Sequence, residues 1–241
     1  MENSEYSMVL TTEPQNIVPE QETKLILTPQ KPMRLEWSHE KKIHLIIVSE
    51  DLSYFNHIHP VEVENRYTVN TKFPSSGQFY LFADYKPEGS DQVLSKLELN
   101  VPGEAPALQE YSQEKLTGQS GGYAITLVAD QGKFTNGHLM IDGILKKDGE
   151  AIDPATLDDY LGAKAHVVLI SAADKAYIHA YPEVENGGYK LHAAFPEPGI
   201  YRGWIQFQAE GVLHTTDYVI NVVQGEVNHG SVHTEAHPSH H

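Results

Sequence analysis

An internal repeat with a period of 122 residues constrains this chain of 241 residues more than any other feature. The run His44-Leu-Ile-Ile-Val-Ser49 returns without a gap as His166-Val-Val-Leu-Ile-Ser171. Between positions 44–85 and 166–207, eight of 42 aligned residues are identical. Chance at ordinary composition would give roughly two or three. The repeat therefore predicts two units of the same fold, each of about 100 residues with a connector.

Each unit has the sequence pattern of an antiparallel β-sandwich. Short apolar or alternating runs are separated by turns that contain Pro and Gly, about every 8–12 residues. We therefore expect an all-β protein of two tandem immunoglobulin-like β-sandwiches. The predicted boundaries are 1–101 for the first sandwich, 102–120 for a polar linker, 121–224 for the second sandwich and 225–241 for a tail.

Three histidines mark a predicted β-hairpin in the first unit. The apolar run that begins at His44 is followed by a polar turn at 50–53, and the returning strand carries His57 and His59 before it stops at Pro60. With this loop, His44 lies opposite His59, and His57 lies opposite Ile46. Side chains two residues apart share a face, and directly opposite residues lie about 5 Å apart. The hairpin therefore predicts one metal site on His44, His57 and His59.

The second copy of this hairpin differs at one of the three histidines. Tyr181 replaces the last of them, so a second site would not be equivalent to the first. The second unit carries two further histidines in its later strands. The candidate ligands of this second site are His166, His179, Tyr181, His192 and His214.

The last seventeen residues, from Gly225, hold five of the fourteen histidines. This segment has almost no apolar side chains to bury, so we expect it to be disordered. One interpretation is a tail that scavenges metal ions, and the other is a cloning remnant or a solvated terminus.

Charge and composition exclude several classes of function. A net charge of −16 opposes binding to nucleic acid and to anionic membrane surfaces. The absence of cysteine excludes disulfides, thiolate metal sites and thiol catalysis. No apolar run is long enough to span a membrane. The first residues show no signal peptide, which leaves a cytosolic protein or a mature exported form as alternatives.

Neutral imidazole is a good ligand for copper and zinc, because it offers a nitrogen lone pair without a charge to bury. Three histidines on a tetrahedral ion leave one position open, which favours reversible binding or handover of the ion. Nucleophile, phosphate-binding and dinucleotide motifs are absent from the sequence, so an enzyme is not indicated, although three histidines could in principle hold a hydrolytic zinc. The main alternative is a non-enzymatic module of the cell envelope, in which the histidines are structural and the sandwich binds another protein.

Two parts of the sequence resemble a known group of bacterial domains. One is the histidine hairpin with its F-P-x-x-G block at Phe73–Gly77, and the other is the run Tyr160-Leu-Gly-Ala-Lys-Ala-His166. Both are similar to secreted YtkA-like and FixH-like immunoglobulin-type domains, which are found near proteins of copper and heavy-metal resistance. The resemblance implies an extracytoplasmic protein, periplasmic or anchored as a lipoprotein, with copper as the expected ion. It puts the metal competence of the second unit in doubt, because Tyr181 stands in the place of the motif's last histidine.

Overall fold

The computed structural model describes residues 6–129 and 132–225, with the side chains of His179 and Tyr181 left undescribed. The five histidines of the predicted tail lie outside these residues. Described secondary structure consists of β-strands and one short 3-10 turn. Within the described ranges, no helix is long and apolar enough to cross a membrane.

The first unit contains eight strands in two four-stranded antiparallel sheets. One sheet has the order β1-β2-β6-β5 and the other the order β4-β3-β7-β8. The strands are β1 (Met8–Glu13), β2 (Glu22–Pro29), β3 (Ile43–Ser49), β4 (Phe55–Ile58), β5 (Val61–Val63), β6 (Arg66–Lys72), β7 (Gly77–Tyr85) and β8 (Val93–Val101).

The second unit repeats this arrangement, with its strands in the order β17-β16-β13-β14-β15-β11-β10-β9 and β12 paired to β11. The strands are β9 (Thr117–Ser120), β10 (Tyr123–Ala129), β11 (Gly137–Lys147), β12 (Glu150–Ala151), β13 (His166–Ser171), β14 (Tyr177–Glu185), β15 (Gly188–Phe195), β16 (Gly199–Ala209) and β17 (Val212–Val222).

The strand order is that of an immunoglobulin-like sandwich. In the letters of that fold, β1-β2-β6-β5 is the A-B-E-D sheet, and β8-β7-β3-β4 is the G-F-C sheet with one added C′ strand. The second unit also has the corner tyrosine of the fold, because the hydroxyl of Tyr201 near the start of β16 donates to the carbonyl of Glu197 at 2.7 Å. The predicted fold class is therefore confirmed, with eight strands in the first unit.

The two units differ most at the strand that changes sheets. In the second unit, β14 runs unbroken, pairing first with β13 and then with β15. The equivalent stretch of the first unit is split into β4 and β5 by His59 and Pro60. Pro60 ends a strand as predicted, whereas Pro182 lies inside β14. Pro182 is tolerated because this half of β14 pairs only with β15. The open side of the strand has no neighbour that would need the backbone N–H that proline lacks.

One predicted segment boundary differs from the structure. Strand β9 pairs with β10 and lies within the stretch predicted as linker, so the sheet of the second unit begins at Thr117. Residues 137–147 form one long strand, β11. Residues 35–38 form only isolated bridges. A 3-10 turn at Pro154–Thr156 is capped by the Asp153 carboxylate.

The two units pack face to face through the equivalent surfaces of their G-F-C sheets. Odd-numbered residues of β3, such as Leu45 and Ile47, fill the core of the first sandwich, whereas Ile46 and Val48 point outward into a third core. Across this interface they meet Val168, which is the repeat counterpart of Ile46. Strand β3 is thus buried on both faces, which accounts for its continuous apolar run.

Aromatic pairs show that this packing has an approximate twofold relation. The ring of Phe55 stacks on Trp204 with centroids 4.6 Å apart, and the ring of Tyr177 packs on Phe82 at 5.4 Å. In the repeat, Tyr177 is the counterpart of Phe55, and Trp204 is the counterpart of Phe82. Each unit therefore presents the same patch to the other, as in a symmetric dimer whose halves share one chain.

Candidate metal centre

The centre of the candidate site is the hairpin formed by β3 and β4. Its register pairs Ile46 with His57 and Leu45 with Ile58, as the sequence predicted. The same register, continued past the end of β4, sets His44 opposite His59. All three histidines thus come to the outward face of the hairpin, at the rim of the interface between the units.

The turn between the two strands is fixed by the Asp51 carboxylate. Its Oδ1 accepts hydrogen bonds from the Ser49 hydroxyl at 2.6 Å, the Ser53 hydroxyl at 2.7 Å and the Ser53 backbone N–H at 3.1 Å. Leu52 has a φ of 58° and buries its side chain completely. These contacts define the loop length and so the hairpin register that brings the histidines together.

The ring nitrogens of the three histidines converge on one point. His44 Nδ1 lies 3.1 Å from His57 Nε2, and His59 Nε2 lies 3.2 Å from the same atom. One ligand atom from each of the three lies within 4.8 Å of the others. Nitrogens about 2.1 Å from a tetrahedral ion would be roughly 3.4 Å apart. The observed nitrogen separations therefore need little adjustment to enclose an ion.

The opposite nitrogens of two of these rings are held by acceptors, which sets their tautomers. His44 Nε2 lies 3.0 Å from the Ser38 carbonyl, and His57 Nδ1 lies 2.7 Å from Gln206 Oε1. Both partners accept hydrogen bonds, so these nitrogens carry the protons and donate. The facing atoms, His44 Nδ1 and His57 Nε2, then both present lone pairs at 3.1 Å. Two lone pairs at this distance repel each other unless a cation lies between them.

Burial keeps these imidazoles uncharged. Loss of hydration on burial lowers the pKa of His44. It lowers the pKa of His57 well below its usual value, and the neighbouring His59 imidazole lowers the pKa of His57 further. Burial, followed by repulsion from His44, lowers the pKa of His59 to about 3. A neutral imidazole is the form that binds metal, so the site is in its ligating state at neutral pH.

Two further histidines lie beside the three. His166, the repeat counterpart of His44, stacks on it with centroids 5.8 Å apart and an interplanar angle of 28°. Its Nε2–H donates to the Tyr160 carbonyl at 2.9 Å, just as His44 donates to Ser38, the counterpart of Tyr160. Burial lowers the pKa of His166 to about 4. His39, which the sequence analysis did not select, lies 5.4 Å from the His166 ring.

Two of the other predicted ligands of the second unit, His192 and His214, lie away from this place. His192 is exposed on β15, with its Nε2 4.0 Å from the Glu183 carboxylate. His214 packs against the rings of Tyr123 and Phe207, and its Nδ1 lies 3.2 Å from the Ser120 hydroxyl. Its burial is thus explained by packing. His179 and Tyr181 are placed by backbone register alone, opposite Val168 and His192 respectively.

Sequence reasoning missed the two residues that depend on contact between the units. Gln206 is 149 positions from His57, and His39 reaches the cluster from a turn with a φ of 47°. The one hint for Gln206 was its place in β16, where its register partner is His166. Neither contact follows from a local pattern, because both require the packing of one sandwich on the other.

Comparison with known proteins identifies a family. The chain matches the model described as "Domain of unknown function (DUF8832)" over residues 2–102 and 118–224. The chain belongs to the DUF8832 family. No curated protein matches it. The match covers both sandwiches, and its second segment begins at residue 118, within β9.

Solved structures with tandem immunoglobulin domains also align with this DUF8832 chain. A chimeric titin Z1Z2-Z1Z2 tandem functionalised with a GRGDS peptide from fibronectin is 11% identical, covers 90% of this chain and 99% of its own, and has a TM-score of 0.24. The full ectodomain (Ig1–Ig3) of mouse nectin-like molecule 4 is 12% identical, covers 92% of this chain and 66% of its own, and has a TM-score of 0.25. Scores this low carry no argument, so the assignment of the fold depends on strand order.

Proposed function

We propose that this protein binds a copper or zinc ion reversibly through His44, His57 and His59, and that it serves in metal handling. The observation that carries the proposal is the convergence of three imidazole nitrogens, two of them with their opposite N–H groups already engaged by acceptors. Such partners fix the tautomer and orientation of metal-binding histidines in known metal sites.

The donor set supports binding and handover of the ion in preference to catalysis. Three neutral nitrogens leave the ion its full positive charge and one open position, which a water molecule or a ligand from a partner protein would occupy. The three-residue group contains no carboxylate that would act as a general base on bound water. The expected order of affinity for divalent ions is Cu²⁺ above Zn²⁺, as it is for nitrogen ligands in general.

Copper and an extracytoplasmic location form the finer part of the proposal. Their support is the resemblance of the hairpin and the F-P-x-x-G block to secreted domains found near copper-resistance proteins. The net charge of −16 agrees with attraction of cations and repulsion of nucleic acid. In this setting, the ion would be exchanged with another protein of the cell envelope.

A calorimetric titration with Cu²⁺ and Zn²⁺ tests the proposal. The full chain is used with its tail histidines replaced by alanine, so that they do not bind the added ion. This tail-blank chain carries His229→Ala, His233→Ala, His237→Ala, His240→Ala and His241→Ala. We expect stoichiometric binding with a Kd that rises at least 100-fold when His44, His57 and His59 are also replaced by alanine.

Two controls make this result specific. His192→Ala removes an exposed imidazole outside the site and should leave the Kd unchanged. A thermal melt of each variant verifies that it is folded. Equal affinity of the tail-blank chain and its triple variant would leave the three histidines as structural residues and refute the proposal.

A further inference from the structure

One face of strand β16 contacts the three-histidine hairpin at three successive outward positions. Odd-numbered residues of β16, such as Ile205, fill the core of the second sandwich, so residues 202, 204 and 206 point out toward the first unit. Their contacts pair Gln206 with His57, Trp204 with Phe55 and Arg202 with Leu52. The row therefore runs from the β3–β4 turn at one end to the metal centre at the other.

The Arg202 side chain at the turn end of this row is a buried cation, 6% exposed. Its Nε–H donates to the carbonyl of Leu52 in the β3–β4 turn at 3.3 Å. Its Nη1 donates to the Tyr218 carbonyl at 2.9 Å and to Asp217 Oδ2 at 3.2 Å, and its Nη2 donates to the same carboxylate oxygen at 3.2 Å. Four of its five N–H groups are thus engaged, which fixes the planar guanidinium in place.

The linker between the two units covers this guanidinium. The ring centroid of Tyr111 lies 4.5 Å from Arg202 Cζ, and that of Trp204 lies 5.3 Å from the same atom, both within the range of cation–π contacts. The Gln109 N–H donates to Asp51 Oδ2 at 3.0 Å, so the linker is attached to the same turn. The β3–β4 turn is therefore held by the second unit and by the linker together.

The repeat offers an internal comparison at the opposite turn. The counterpart of Leu52 is Asp174, whose carbonyl accepts a hydrogen bond from Lys96 Nζ at 3.0 Å. Each hairpin turn is thus held by a cation of the other unit. The turn of the three-histidine hairpin has an arginine with several fixed partners, whereas the other turn has the more flexible ammonium of a lysine.

We infer that Arg202 is a positioning residue of the metal centre. It lies four residues before Gln206 on the same face of β16, and it fixes the turn from which β4 runs to His57. Holding the turn end of the row keeps Gln206 Oε1 at 2.7 Å from His57 Nδ1, which keeps the proton on that nitrogen. The effect on metal affinity rests on the proposed function, but the effect on His57 exists in the metal-free protein.

Long-range proton–nitrogen NMR of the metal-free tail-blank chain at neutral pH shows which nitrogen of His57 carries the proton. We expect a single tautomer, protonated at Nδ1, in the parent chain and a mixture of both tautomers in Arg202→Met. Methionine keeps apolar volume in place of the arginine stem, and Lys115 still pairs with the Asp217 carboxylate at 2.5 Å, so this carboxylate keeps a cationic partner.

Cu²⁺ titration of the same proteins measures the consequence for binding. The Kd should be about 10-fold higher in Arg202→Met than in the parent chain, because His57 is no longer held in its ligating tautomer. Arg202→Lys should restore both the tautomer and most of the affinity, because a lysine can hold the turn as Lys96 holds the opposite one.

Lys96→Met is the matched control, because it removes the equivalent hydrogen bond from the other turn. It should lower the melting temperature, as Arg202→Met does, and leave the His57 tautomer and the Kd unchanged. Tyr111→Leu, which removes the linker ring over the guanidinium, tests the same contact if Arg202→Met does not fold. It should shift the tautomer and the Kd in the same direction.

The outcomes separate this inference from the proposed function. An unchanged His57 tautomer and Kd in Arg202→Met would overturn it and leave Arg202 as a structural residue of the interface. Equal changes in Lys96→Met would overturn it too, because they would reflect stability alone. A tautomer change specific to Arg202→Met, in a protein whose parent binds no Cu²⁺, would refute the proposed function and support the role of Arg202 in positioning His57.

Discussion

At the scale of single residues, the proposed metal binding depends on which ring nitrogens carry protons. Ser38 and Gln206 each accept a hydrogen bond from the nitrogen that faces away from the proposed ion. The histidines themselves could be found from sequence, because the hairpin pattern places them on one face. Gln206 could not, since it belongs to the other unit and its contact with His57 depends on how the two sandwiches pack.

Gln206 is therefore the residue with which to test this orientation. Gln206→Leu removes the acceptor for His57 Nδ1–H, so we expect the Kd for Cu²⁺ in the tail-blank chain to rise about 10- to 100-fold. The copper hyperfine splitting in electron paramagnetic resonance should change as well. Gln206→Glu keeps an acceptor at this place and should retain tight binding. Equal affinity of the leucine variant and the parent chain would show that Gln206 does not orient His57.

At the scale of elements, the β3–β4 turn sets the site because it sets the hairpin register. The length of this turn and the pairing of Ile46 with His57 follow from the sequence, as does the strand end at Pro60. The unbroken course of β14 through Pro182 does not follow from the sequence. A proline ends a strand only where the backbone N–H that it lacks would have been needed for pairing.

The Asp51 carboxylate that holds this turn should make stability depend on pH. Burial raises the pKa of Asp51. Hydrogen bonds from Ser49, from the Gln109 N–H and from Ser53 outweigh this effect and lower the pKa to about 2. A carboxyl whose pKa is lower in the folded than in the unfolded chain stabilises the fold above about pH 4 and loses this effect as pH falls toward 2.

Urea unfolding of Asp51→Asn measures this contribution. Since the Asp51 side chain is only partly buried, we expect a loss of about 1 kcal/mol in the free energy of unfolding at pH 7. The difference from the parent chain should shrink as pH approaches 2. Asp91→Asn, at an exposed carboxylate, is the matched control. A difference that is constant between pH 7 and pH 2.5 would contradict the assignment of this effect to the charge.

At the scale of the whole molecule, the repeat acts as a dimer within one chain. Equivalent faces of the two sandwiches meet, and the reciprocal pairs of Phe55 with Trp204 and Phe82 with Tyr177 show the approximate twofold relation. The sequence predicted two units but not this packing, because a buried apolar run does not reveal what covers it. The packing brings Gln206 and His166 to the first unit's histidines, so the site is built by both units.

Loosening the interface should therefore weaken metal binding. Trp204→Ala removes a ring that is 3% exposed and should lower the free energy of unfolding by about 3–5 kcal/mol. It should also raise the Kd for Zn²⁺ in the tail-blank chain, because the hydrogen bond between Gln206 and His57 depends on the packing of the two units. Ile144→Ala, at a side chain 45% exposed, is the control that should change neither quantity much. Unchanged affinity in the tryptophan variant would show that the first unit holds the ion alone.

X-ray absorption at the zinc edge tests the central claim most directly, because it counts the atoms bound to the ion. The tail-blank chain with one equivalent of Zn²⁺ is compared with its variant that lacks His44, His57 and His59. We predict three imidazole nitrogens at about 2.0–2.1 Å in the parent chain and a spectrum with fewer imidazoles in the variant. Identical spectra from the two proteins, or an ion surrounded by oxygen atoms in both, would contradict the three-histidine site.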